Sequence, residues 1–84
     1  MAKFMIAYDL KKSGQNYTCI TDKLKAMNAF HSQGSVWLYK GETNCKVIRD
    51  HLKGCLDEND ELMVVQISDW ASYQMPHDAK YLNG

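Results

Sequence analysis

Charge of one sign is what this chain lacks first: ten lysine and arginine side chains balance ten aspartates and glutamates, for a formal net charge of zero. Dedicated DNA and RNA binders draw much of their affinity from neutralising phosphates and carry a basic excess. Neutrality therefore argues against a chain that simply coats nucleic acid. Arginine is nearly absent, with Arg49 alone, so few side chains are available for bidentate contacts to phosphate or guanine. Proline occurs once, at Pro76, and the glycines are scattered. No linker or repeat is visible, and the G-x-x-x-x-G-K pattern of a P-loop is missing. The first apolar run, Phe4 to Tyr8, is too short for a signal peptide or a membrane span, so a cytoplasmic protein without a membrane partner is expected. The three cysteines, Cys19, Cys45 and Cys55, are odd in number and show no C-x-x-C spacing. They are expected to be free structural thiols behaving as small hydrophobes, rather than metal ligands or redox groups.

What is present reads as one domain, because 84 residues cannot build a second core. Phe4 to Tyr8, halted by Asp9, predicts a buried strand. After a polar break, Tyr17, Ile20, Leu24 and Met27 recur at the three- and four-residue spacing of an amphipathic helix. Residues from Ala29 to Tyr39 are rich in β-branched and aromatic side chains, with Gly34 either a turn between two strands or a bulge in one. A second helix carries Cys45, Ile48, Leu52 and Cys55 on one side, and Gly54 weakens its last turn. Asp57 to Glu61 reads as a solvated acidic connector, and Leu62 to Ile67 as the clearest strand. Beyond a core of about residues 3–68, an aromatic tail over 69–84 holds Trp70, Tyr73 and Tyr81. Pro76 suits the first position of a short terminal helix.

Strand, helix, one or two strands, helix, strand predicts an α+β domain of the ferredoxin-like βαββαβ kind, an antiparallel sheet with two helices on one face. Such a sheet should alternate apolar and polar residues if its other face is wet. The first strand is apolar on both sides (Phe4, Ile6 and Tyr8; Met5 and Ala7), and so is the last (Leu62 and Val64; Met63, Val65 and Ile67). The second face is therefore expected to be covered by another subunit, by the aromatic tail, or by both. A chain this short buries only about 60–65% of its unfolded surface, a further reason to expect a sheet-mediated homodimer.

Tyr8-Asp9 closing the first strand, Gln33-Gly34-Ser35-Val36-Trp37 in the middle, and the helix, acidic turn and apolar strand from Val47 to Ile67 resemble the small CRISPR-associated Cas-two proteins. They are also similar to the stand-alone Cas-two-like and virulence-associated protein D groups. The resemblance covers about residues 3–68. It implies a ferredoxin-like homodimer and a metal-dependent nuclease acting on RNA or DNA, with Asp9 as catalytic residue and ligand to Mg2+ or Mn2+. Two such carboxylates brought together across a two-fold axis could present oxygens to one hard cation, which would orient or activate water. Trp37 where phenylalanine is common, the scarcity of arginine and the aromatic tail depart from the pattern.

Other residues read on their own chemistry. Lys11, Lys12, Ser13 and Gly14, between strand and helix, could hold a phosphate against helix N-terminal amides; a solvated capping loop is the plainer reading. His31 could serve as acid or base, because histidine titrates near neutrality, but more often such a histidine is structural. Trp70, Tyr73 and Tyr81 could stack on bases, although packing back on the sheet is the commoner fate. The alternative to an enzyme is a non-catalytic dimeric module binding a nucleotide, a nucleic acid or a protein partner, in a toxin–antitoxin, phage–host or regulatory role. The chain could also be a structural subunit of a larger assembly, since one fold serves many functions.

Overall fold

The computed structural model describes residues 1–10 and 17–84. Strand β1 (Ala2–Asp9) is followed by helix α1 (Thr18–Ala26), strands β2 (Phe30–Gln33) and β3 (Val36–Gly41), and helix α2 (Cys45–Leu52). A single 3-10 turn (Lys53–Cys55), strand β4 (Glu61–Gln66) and helix α3 (Pro76–Asn83) complete the chain. The four strands form one antiparallel sheet in the order β2-β3-β1-β4. Gly34, at φ +48°, makes the turn between β2 and β3, and the register slips between His31 and Gln33. Of the two roles considered for Gly34, it takes the turn between two strands, and the register irregularity lies within β2.

Local chemistry explains where the helices stop. Asn28 follows α1 at φ 62° and gives its N–H to Lys25 O, while the Ala29 N–H reaches Leu24 O at 3.0 Å. That pair of bonds is a Schellman closure, with asparagine in the place glycine usually takes. At the start of α2, the Asn44 side chain accepts the Val47 N–H at 3.0 Å, an N-cap worth about 1 kcal/mol. Gly54 lies in the 3-10 turn, so α2 ends sooner than its apolar spacing suggests. Pro76 opens α3, where its missing N–H costs nothing.

The core lies between one sheet face and helices α1 and α2: Phe4, Ile6, Tyr8 and Trp37 meet Ile20, Leu24, Ile48 and Leu52. The opposite face carries Met5, Ala7, Val36, Leu38, Met63 and Val65, which share it through their register. There α3 covers the β2–β3 half. Tyr81 stacks on Phe30 at 5.2 Å, Ser32 donates to the Asp78 carboxylate, and Leu38 and Leu82 are buried. The expected second layer is thus supplied in part by the tail. The β1–β4 half stays open, with Met5 37% and Met63 65% exposed.

The cysteine expectation is corrected. Cys19 on α1 and Cys55 in the 3-10 turn are bonded as a disulfide, with Cα atoms 5.6 Å apart, and only Cys45 is a free thiol. Sequence separation hid the pair, because α1 and the end of α2 become neighbours only once both lie on the sheet. Lys23 ties the same two helices, donating from Nζ to His51 O at 2.8 Å. No helix among the described residues is long and apolar enough to cross a membrane.

Candidate functional site

Asp9 is the last residue of β1, and its position is set by what surrounds Tyr8. The Tyr8 ring is buried in the core, its phenol oxygen accepts Trp37 Nε1–H at 3.3 Å, and its backbone N–H reaches Ser35 O at 3.2 Å. Alternation along the strand then sends Asp9 to the opposite face, the one with Met5 and Ala7. Directly across the ladder from Asp9 stands Glu61, the first residue of β4. Cross-strand partners hold their Cβ atoms about 4.5–5.5 Å apart, so the two carboxylates share one small patch.

The turn before β4 helps to present Glu61. Asp60 closes it, its side chain accepting the Asp57 N–H at 2.8 Å and its own N–H reaching Asp57 O at 3.1 Å. Asp9, Asp60 and Glu61 border a groove of about 700 Å3 whose apolar walls include Ala7, Leu62 and Met63. Oxygen donors of this kind suit hard cations, and a magnesium ion commonly takes one or two carboxylates and keeps its remaining waters. Among the described residues no group of three or more metal-ligating side chains occurs, so a closed zinc-type site is not built there.

The other sequence candidates separate. His31 pairs with Trp37 across the β2–β3 ladder and stacks on its ring at 4.4 Å, on the helix side of the sheet. Its Nε2 lies 2.6 Å from Gly34 O, so the imidazole pins the hairpin turn. The sheet itself stands between His31 and Asp9. Lys11, Lys12, Ser13 and Gly14 lie outside the described residues. Of the tail aromatics, Tyr81 packs on the sheet as expected, whereas Tyr73 is 82% exposed. Arg49 binds the neighbouring Asp50 through Nε and a terminal nitrogen, and this hydrogen bond holds the Asp50 carboxyl below its ordinary range. Sequence reading missed Glu61 as a partner of Asp9, treating it as part of a solvated connector. The signal for it was that Asp9 closes one apolar strand and Glu61 opens another.

No family model matches the chain, and no solved structure matches it.

Proposed function

We propose that the chain is a Cas-two-like, metal-dependent nuclease with a ferredoxin-like fold, whose hard cation, Mg2+ or Mn2+, is held by Asp9 and Glu61. The cross-strand pairing of these two carboxylates carries the reading. The order of helices and strands, with β1 and β3 central in an antiparallel sheet, supports the fold assignment. With Glu61 beside Asp9, a single chain would supply two oxygen ligands, so cation binding would not need a two-fold axis. The bound cation would supply charge neutralisation at a phosphodiester and a polarised water. Asp9 and Glu61 would hold it on the sheet face, and the Ala7 and Met63 walls would limit water on one side of the groove. The open Met5–Met63 surface supports a homodimer in which a second copy covers this half of the sheet.

The test is cleavage of single- and double-stranded RNA and DNA with Mg2+, Mn2+ or chelator, by wild type, Asp9→Asn and Glu61→Gln. Metal-dependent cutting lost in both variants is the expected result. Equal cutting by Asp9→Asn and wild type would sink the assignment.

One observation favours a non-catalytic binding module instead. The groove is bordered by three acidic residues, Asp9, Asp60 and Glu61, and by apolar walls. If no cation binds, the same acidic and apolar groove suits a basic segment of a protein partner. Absence of cleavage together with absence of metal binding selects this reading.

A further inference from the structure

Lys3 on β1 and Lys40 on β3 are direct partners across the ladder, at the end of the sheet remote from Asp9. Both are half-buried, and their register sends both side chains to the same face. Among the described residues neither has a carboxylate within salt-bridge distance. Like charges set directly opposite destabilise a sheet, and partial burial adds a desolvation cost to each ammonium. An anion between the two would offset both costs.

The surroundings are shaped for more than a simple ion. The two lysines border a cavity of about 620 Å3 that Met27, Asn28, Tyr39 and Tyr81 also line, within the size range of small-molecule sites. Lys40 Nζ lies 4.6 Å from the centroid of the Tyr81 ring, a cation–π contact that restrains an otherwise mobile side chain. Tyr81 is itself anchored, donating from its hydroxyl to Asn28 O at 3.3 Å and stacking on Phe30. Tyr39 is placed by the glycine beside it: a Cβ at Gly41 would come within 2.7 Å of the Tyr39 ring. The two cations thus border the cavity from one face of the sheet beside the Tyr81 ring, while Tyr39 and Met27 reach it from the core side.

We propose that the Lys3–Lys40 end of the sheet binds the phosphate of a small phosphate monoester, with Tyr81 beside its organic part. This site is separate from the carboxylate groove and requires no metal.

The experiment is an amide chemical-shift titration of the Asp9→Asn chain in chelator, so that failure of the nuclease reading leaves it unaffected. The probes are a nucleoside monophosphate, the uncharged nucleoside, inorganic phosphate and a short single-stranded oligonucleotide without terminal phosphates. Saturable shifts at Lys3, Lys40 and Gly41 are expected with the monophosphate, weaker shifts at the same amides with inorganic phosphate, and none with the nucleoside. Lys3→Gln and Lys40→Gln should each weaken the monophosphate about tenfold, the effect of losing one charge-assisted contact, while Lys3→Arg and Lys40→Arg retain binding. Shifts that survive both glutamine substitutions, or that scatter over Lys23, Lys25 and Lys46, overturn the proposal. So does binding of the oligonucleotide without the monophosphate.

Discussion

Asp9 and Glu61 face each other across the β1–β4 ladder, on the half of the sheet that α3 leaves open. A divalent cation bound by both carboxylates, as proposed, would stabilise the folded chain. At a free cation concentration about a hundred times Kd, linkage gives about 2.7 kcal/mol. For a domain of this size that is on the order of 10 °C in Tm. Thermal unfolding with and without Mg2+ or Mn2+ should show this rise in wild type and lose it in Asp9→Asn and Glu61→Gln.

Opening the Cys19–Cys55 bond should weaken the fold substantially. The bridge spans 36 residues of sequence, and the chain-entropy model assigns such a loop about 4 kcal/mol. Urea unfolding of the Cys19→Ser, Cys55→Ser chain should give a midpoint well below that of the oxidised wild type, and reductant should move the wild type toward it. Disulfides persist in oxidising compartments and are kept open in the cytosol. Thiol trapping in cells therefore decides between the cytoplasmic expectation and an oxidising location.

Leu82 holds the tail to the second face. It is 5% exposed, and truncation of a buried leucine costs about 2–5 kcal/mol. Leu82→Ala should lower stability by an amount in this range and uncover Leu38, read as increased binding of a hydrophobic dye to the folded state.

Tyr81 should make stability fall at high pH. Burial is the main cause raising its phenol above the ordinary value of 10.0, so folding favours the protonated form. The sign follows from proton linkage: the contribution is fully present below the unfolded-state pKa and is lost as pH rises from there through the raised folded value. Tyr81→Phe should be less sensitive to pH in that alkaline window, as measured by denaturant midpoints across it.

Met63 tests the homodimer. It lies on the edge strand β4 and is 65% exposed, so Met63→Lys should leave the monomer fold intact. Sedimentation should show wild type as a dimer and the variant shifted to monomer, because a charge buried without a partner is costly. A monomeric wild type would remove the second subunit from the proposal.

Much of the fold was legible because its signals are local. Apolar run length marked β1 and β4, three- and four-residue spacing marked α1 and α2, and Pro76 marked the start of α3. The apolar character of both sides of β1 and β4 also announced that the second face needed cover; α3 covers the β2–β3 half of that face and leaves the β1–β4 half open. Gly34 stayed ambiguous because one glycine serves a turn or a bulge equally well, and the choice depends on how β2 aligns with β3. The cysteines misled for a related reason: Cys19 and Cys55 share no motif, and only the packing of two helices on one sheet brings them together.

By itself, then, the sequence determined which segments are strands and helices and which of their sides are apolar, because these follow from side-chain periodicity and the conformational limits of glycine, asparagine and proline. Only the tertiary structure decided which residues meet. Strand register set Glu61 against Asp9 and Lys3 against Lys40, and it put His31 on the other side of the sheet from Asp9. The physical reason is that antiparallel pairing joins residues far apart in sequence, and a slip of one residue would send each of these side chains to the opposite face.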